Sequence, residues 1–452
     1  MKKNKLGMMA LSLFAVVGFA TSCGGGSTGR IIHEGPLDLT ASGDYTKVEF
    51  ETVEETDIGT SLTIEEGKLS QYSASHPLRI GLVTDSGTLN DHSFNQSAWD
   101  GVNQFASENG GGTVTSEGVK NGSIQTMYLQ PTAGQYTAQG RLAAMKSVAD
   151  WGADVIVLPG YLFQGAIDLA LDDSAFDDVY FLALDCAETD DAGNAIEFND
   201  RITSVVYREE QCGYLAGYAA VKDGFRRLGF VGGVAVPAVI KYGSGYVQGA
   251  AEAAKELNLE NPIYIQYYYA GAFEGTTQAT TYARQWYNSG YADVIFSCGG
   301  SVYTSVFQAS KDCGYRPWIG VDVNQHADTE AFKTEEERNT ILTSAMKNLT
   351  FATKVLLTDW VNEDGNWNSD LASNVVTVGA ESEMVKLPTP EEDKDPGCWR
   401  FESFTVEEYN KLYEGIKSGK IAVNANADNE VLAANNFGVN PEYAVVNFIE
   451  TN

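Results

Sequence analysis

From residue 78 onward the chain alternates short apolar runs with longer amphipathic segments. "LRIGLVTD", "ADVIVLPG", "VYFLALD", "ITSVVY", "LGFVGGVAV", "IYIQYYYA", "ADVIFSCGG", "WIGVDVN" and "ILTSAMKN" are all of strand length. Their hydrophobic positions are continuous rather than alternating, which predicts strands buried on both faces of a parallel sheet. The segments between them are long enough for crossover helices covering both faces. Nine strands are too many for one compact half. The expected fold is therefore α/β, with two doubly wound, Rossmann-like lobes around a hinge. The expected boundaries put lobe 1 at 78–206 plus about 324–350, and lobe 2 at 207–323 plus about 351–452. The tail "TVEEYNKLYEGIKSGKIAVNAN" reads as a helix and a short strand closing the second lobe.

The segment before residue 78 follows other rules. "MKKNK" is basic, and residues 6–20 are apolar but too short to span a bilayer comfortably, so 1–22 read as a secretory signal. "ATSCGGGSTG" resembles the lipobox of bacterial lipoproteins, with Cys23 as the lipid-bearing residue and Ala20 where that motif usually has Leu. Residues 23–77 are expected to be the lipidated Cys, a tether and a small extension with β-like patches such as "TKVEFETV". No other run is long and apolar enough to cross a membrane.

The whole chain carries a formal charge of −31, and losing Lys2, Lys3 and Lys5 with the signal leaves 27 basic residues against 61 acidic ones, −34. Such a surface repels phosphate backbones and argues against nucleic-acid binding. The cysteines beyond Cys23 (Cys186, Cys212, Cys298, Cys313 and Cys398) are odd in number and lack CxxC spacing, which supports neither a disulfide framework nor a zinc site. Cys186 and Cys298 follow strand-like runs and read as small core residues.

In open α/β sheets ligands bind beyond the carboxyl ends of the strands, so the turns after these runs are where chemistry is sought. In "IGLVTDSGTLNDHSFNQSAWDGVNQFA", Ser93 and Gln96 have capping-box spacing, which starts a helix there. Ala98, Val102, Phe105 and Ala106 make its buried stripe. Phe94 and Asn95 fall in its first turn, facing the strand ends, where an aromatic has little core to pack into. The other turns offer Asp85, Asp185, Asp322 and Asn324 as polar groups, Tyr161 and Tyr242 as rings, Gly299 and Gly300 as close-approach positions, and Lys347. Flat apolar faces with a few hydrogen-bonding groups suit a small ligand carrying a ring and hydroxyls.

"TDSGTLNDHSFNQSAWDG", "YREEQCGYLAG", "VGGVAVPAVIKYGSGYVQG", "IGVDVNQ" and "TSAMKN" together resemble the basic membrane protein family of lipoproteins, the purine nucleoside receptor type. The resemblance spans residues 78 to about 347 in order. It implies a monomeric, lipid-anchored substrate-binding protein of an ABC importer on the outer face of the cell membrane, with a type I periplasmic-binding-protein-like fold. A nucleoside in the interlobe cleft and a permease in the membrane would be its partners, with no cofactor and no metal. The resemblance further implies that Phe94 and Tyr242 sandwich a base, that Asn95 and Asp185 contact its edge, that Asp322 and Lys347 hold ribose hydroxyls, and that Asp85 and Gly300 line the cleft. The stretch "GAESEMVKLPTPEEDKDPGCWRFES" and the extension before residue 78 depart from the family.

Two rivals stay open. A receptor of the same fold for a sugar or a signalling ligand needs similar strand-end polar groups. "VTDSGTLND" has a superficial similarity to nucleoside hydrolases, but Asp85 and Asp91 stand six apart with no Asp doublet. From residue 78 onward there is no GxSxG, the chain has no HExxH and no phosphate-cradling Gly–Lys loop, and His33, His76, His92 and His326 lack metal-ligand spacing. An enzyme is therefore not expected.

Overall fold

The structure, a computed structural model, describes residues 30–450 apart from 40, 42–47, 133 and 191. The expected signal and Cys23 lie outside them. In chain order the strands are β1 (Leu78–Val83), β2 (Thr113–Thr115), β3 (Gly118–Lys120), β4 (Ile124–Leu129), β5 (Val155–Pro159), β6 (Tyr180–Leu184), β7 (Ile202–Tyr207), β8 (Arg227–Gly232), β9 (Ile263–Tyr269), β10 (Val294–Cys298), β11 (Trp318–Asp322), β12 (Ile341–Lys347), β13 (Val375–Val378), β14 (Val385–Lys386) and β15 (Ala444–Ile449). The helices are α1 (Phe94–Gly110), α2 (Ala138–Asp150), α3 (Gln164–Leu171), α4 (Glu209–Lys222), α5 (Pro237–Glu256), α6 (Thr277–Ser289), α7 (Tyr303–Asp312), α8 (Glu335–Arg338), α9 (Leu349–Asn362), α10 (Val406–Lys417) and α11 (Asn429–Ala434).

Two sheets organise the chain, with orders β13-β7-β6-β5-β1-β4 and β14-β12-β11-β10-β8-β9-β15, parallel throughout except that β14 runs antiparallel to β12. All nine expected strands are present. Their residues are buried on both faces, completely so in β5, β9, β10 and β11. In lobe 1, α1 and α9 cover one face and α2 and α3 the other; in lobe 2, α4 and α5 oppose α6 and α7. One apolar core runs without a break from the α1/α9 face of lobe 1 to the α4/α5 face of lobe 2.

Three crossovers join the lobes: β7 into α4, β12 into α9, and β13 into β14 through residues 379–384. They bond to one another, with Arg208 N donating to Val378 O at 2.9 Å and Asn348 N to Met384 O at 2.8 Å. The expected lobe assignment is corrected here. The β12 run lies beside β11 in lobe 2, although 324–350 was assigned to lobe 1. Conversely, α9 packs on α1 and β13 pairs with β7, so part of 351–452 belongs to lobe 1. The physical reason is that a doubly buried apolar strand must pair on both sides, and β11 offers β12 its open edge.

Two smaller corrections follow from the same topology. In the tail, α10 forms, with Thr405 and Glu408 in a reciprocal capping box, but "IAVNAN" makes no strand. The sheet is closed instead by β15 against β9. Of "TKVEFETV", the described residues 48–53 form no strand either.

Lobe 2 depends on how closely α4 meets α5. Gly213 and Gly217 on α4 face Gly245 and Gly249 on α5. A Cβ at any of the four would lie 2.0 Å from a backbone oxygen of the other helix: that of Tyr242, Tyr246, Glu210 or Tyr214, respectively. Only glycine allows this approach. It places Glu209, at the start of α4, beside Tyr242, one turn into α5. We expect Gly217→Ala to lose roughly 1–3 kcal/mol of stability to overpacking, despite a helix-propensity gain of about 1 kcal/mol. Urea denaturation reads this out, and an unchanged or raised midpoint would refute the tight contact.

Candidate ligand cleft

The carboxyl ends of the two sheets face each other across one cavity of about 260 Å³, near the small end of the roughly 300–1,000 Å³ of small-molecule sites. Lobe 1 contributes Asp85 after β1, Phe94 and Asn95 from the first turn of α1, Tyr161 after β5 and Asp185 after β6. Lobe 2 contributes Tyr242 from α5, Phe273 after β9, Gly300 after β10, Asp322 ending β11 and Lys347 ending β12. All eight residues to which the resemblance gives ligand roles line this cavity, as do Tyr161 and Gly299, whereas Asn324 does not and donates instead to Asp395 Oδ2 at 3.0 Å. Asp185 and Asp322 sit at left-handed backbone angles, φ 62° and 65°, a costly conformation that recurs at functional sites.

The turn into α1 is built differently from the expected capping box. The Ser93 side chain caps nothing. Asp91 caps the helix instead. Its carboxylate accepts from the backbone N–H of Ser93 (2.9 Å), Asn95 (2.9 Å) and Gln96 (3.2 Å), and from Asn95 Nδ2 at 3.0 Å. Gln96 reaches back to His92 N at 3.2 Å, and Ser93 is thereby free to donate across the cleft to Asp322 Oδ2 at 2.5 Å. Burial pushes the Asp91 carboxyl up to about 6, against the pull of these donors. Asn95 Nδ2 also donates to Asp85 Oδ1 at 3.2 Å. Because carboxylates accept only, the amide must turn its nitrogen to them, which leaves Asn95 Oδ1 as a buried acceptor without a partner. Gly160, at φ 125°, makes room for Asp85: a Cβ there would lie 2.8 Å from its Oδ2.

Lys347 is the charged centre. Its Nζ bonds Asp185 Oδ2 from the other lobe and lies 2.8 Å from Glu209 Oε1. The ring centroids of Phe94, Tyr207 and Tyr242 lie 5.1, 5.1 and 5.6 Å from it. Burial alone would discharge the ammonium, but Asp185, Glu209 and Asp322 hold its pKa above the usual lysine value. Burial pushes the Asp185 carboxyl up, the Lys347 ammonium pulls it back, and Glu209 and Asp322 push it up again. Asp185 Oδ1 is left, like Asn95 Oδ1, as a buried acceptor without a partner. Phe94 is half-buried, whereas Tyr242 is buried edge-on against Phe296 at 5.9 Å and donates to Ala345 O at 3.3 Å.

The sequence reading missed Asp91, Glu209, Tyr136, Phe273 and Glu274. Asp91 and Glu209 stand inside the quoted motifs, but nothing local distinguishes a buried cap or counter-ion from a solvated acid. The turn after "IYIQYYYA", which holds Phe273, follows the same strand-end rule and was open to it. Cys186 and Cys298 are buried, as expected of core residues. Among the described residues no group of His, Cys, Asp and Glu is arranged to hold a metal ion.

Two α/β lobes, three crossovers and a polar, ring-lined cleft at facing strand ends define a bilobal solute-binding protein. The chain belongs to the ABC transporter substrate-binding protein PnrA-like family, whose description matches residues 79–427; these are binding proteins of transporters, not enzymes. It is 29% identical over 279 residues to the ABC transporter nucleoside-binding protein BmpA of Lactococcus lactis subsp. cremoris, covering 60% of this chain and 71% of that one. Basic membrane protein B of Borreliella burgdorferi is 24% identical, covering 71% of this chain and 83% of the relative. The ABC transporter solute-binding protein of Aeropyrum pernix K1 superposes with a TM-score of 0.60 at 18% identity, covering 80% of this chain and 100% of that one; this likeness shows the fold alone.

The cap assignment has a direct consequence. Asp91→Ala should cost about 2–3 kcal/mol, because it leaves buried N–H groups unpaired, and should speed amide exchange at Ser93, Asn95 and Gln96. Ser93→Ala should leave those amides protected. Equal exchange in the two variants would return the capping role to Ser93.

Proposed function

We propose that this chain captures purine nucleosides outside the cytoplasm and delivers them to an ABC permease. The observation that carries this reading is the pair of buried, unpartnered acceptors, Asn95 Oδ1 and Asp185 Oδ1, in a cavity walled by the half-buried Phe94. Two such acceptors ask for N–H donors on a flat ligand; the edge of a guanine base supplies two, N1–H and the 2-amino group, and that of hypoxanthine supplies N1–H. Phe94 and Tyr242 take the faces of the base, Asn95 and Asp185 its edge. Asp322 takes ribose hydroxyls, as does the one N–H that Lys347 has left after Asp185 and Glu209. Asp85 and Gly300 complete the wall. The name of the Lactococcus relative supports a nucleoside ligand. Five carboxylates around one lysine (Asp85, Asp91, Asp185, Glu209 and Asp322) disfavour the phosphate of a nucleotide.

Calorimetric titration with guanosine, inosine, adenosine, guanosine monophosphate and ribose tests the reading. Guanosine and inosine should bind at least about tenfold more tightly than adenosine, whose ring nitrogen would face an acceptor. The monophosphate and ribose should bind more weakly than either. Phe94→Ala should cost roughly 1–3 kcal/mol of guanosine affinity, with Phe94→Tyr close to wild type, since the ring face carries the stacking. Binding of ribose or another sugar with no nucleoside response would replace this reading with the sugar receptor.

Attachment to the membrane is assigned to a lipid on Cys23 from the lipobox-like run "ATSCGGGSTG"; no helix among the described residues is long and apolar enough to cross a bilayer. The protein acts as a monomer on the outer face of that membrane. Cys23→Ala should release it from isolated membranes with guanosine affinity unchanged; a variant still bound after a high-salt wash would refute the anchor.

A further inference from the structure

The described residues of 30–77 hold no regular helix or strand; they bond first to lobe 2 and then to lobe 1, as a strap between the two. At its start Arg30 meets Asp223 at 2.7 Å, and His33 Nδ1 meets Asp293 Oδ1 at 2.5 Å, both near the N-terminal strand ends of lobe 2 and away from the cleft. Further on, Glu51 N donates to Asn424 Oδ1 (2.8 Å) and Glu51 Oε1 accepts from Asn426 Nδ2 (2.9 Å). Asn424 is itself held by Gln248 of α5, in lobe 2. Five residues later the strap belongs to lobe 1. Thr56 N donates to Thr377 O of β13 at 2.6 Å, Ile58 is buried in the core, and Glu65 N and Lys68 bond Asn362 (2.9 Å) and Asp364 (3.0 Å) at the end of α9.

Glu55 lies where the strap changes lobes. Its carboxylate accepts from Glu381 N at 3.3 Å and from Ser382 N and Oγ at 3.2 Å each, all in the third crossover. It also accepts from Gln211 Nε2 at 3.4 Å, just past the first crossover, and Gln211 Oε1 in turn accepts from Ala380 N at 2.8 Å. Gly379 leaves the space: a Cβ there would lie 2.3 Å from Glu55 Oε1. One carboxylate from outside both lobes thus ties two of the three crossovers together.

We propose that Glu55 is a positioning residue for lobe closure, the clasp of a strap that acts as a fourth link between the lobes. Hinges open by large dihedral changes in a few residues, and 379–384 is such a segment. Four hydrogen bonds onto it and its neighbour, with the strap fastened on either side, oppose that rotation. The clasp therefore favours the closed arrangement, in which Ser93 reaches Asp322 and His92 Nδ1 reaches Asp328 Oδ2 at 2.5 Å. A ligand leaves only through opening, so the clasp slows release and raises the closed fraction before binding. The proposal rests on the two-lobed receptor reading and not on which ligand is bound.

Small-angle X-ray scattering of the ligand-free full-length chain tests it first. Glu55→Ala should raise the radius of gyration above wild type, and Glu55→Gln, which keeps one acceptor oxygen, should fall between. Guanosine dissociation, followed by competition in stopped flow, should then be about fivefold faster or more in Glu55→Ala. A lower melting temperature with an unchanged radius of gyration would make Glu55 a stabiliser of the strap and overturn the clasp. A larger radius of gyration in a chain that ignores guanosine would uphold the clasp and overturn the nucleoside reading.

Discussion

An ammonium group buried between two lobes is the constraint on which this protein is built. Lys347 ends β12 of lobe 2, yet its nearest carboxylate, Asp185, belongs to lobe 1. A buried charge without partners costs far more than a fold of this kind has to spare. The partners must therefore be held in place by everything around them: Asp185 by a left-handed turn after β6, and Glu209 by the first crossover. Separating the lobes parts Lys347 from Asp185 and has to supply water in exchange. In this arrangement closure of the lobes and pairing of the charge come together.

Two carboxylates in equivalent places show the same logic from the other side. Asp185 and Asp322 each follow a buried strand in a backbone conformation that a non-glycine residue adopts at a cost. The surrounding sheets enforce it, and the return is a pair of acid groups aimed from opposite lobes into one cavity. The stretch 379–404 supports the same rim. Asp395 accepts from Asn324 Nδ2 at 3.0 Å and lies 2.8 Å from His326 Nδ1, so it steadies the loop that follows Asp322.

Continuous apolar runs exposed nine strands, and the turns at the strand ends gave ten cavity residues and one, Asn324, outside the cavity, because both follow from local burial and from general sheet geometry; the family resemblance then narrowed the ten to eight. What escaped was non-local. The β4 run "IQTMYL" mixes polar with apolar residues, and β13 and β15 are edge strands whose partners lie far away in sequence. The lobe assignment of β12 and α9 turned on which edge each could reach, and no periodicity carries that information. The helix cap shows the limit most clearly. Ser93 and Gln96 have the spacing of a capping box, but Asp91, two residues earlier, takes the backbone donors, and Ser93 turns to the opposite lobe. Spacing names the residues able to cap; only the fold decides which one does.

The glycine contact between α4 and α5 bears on how such a receptor changes its ligand over evolutionary time. Because the two backbones touch, the wall that carries Tyr242 has no slack in which to reshape. New specificity on that side has to come from exchanging side chains on a fixed frame, one ring or one polar group at a time. The face of lobe 2 that lines the cavity is a rigid frame. Variants with an altered ligand are thus to be sought at the side chains that meet the cavity and not in the helices that hold them.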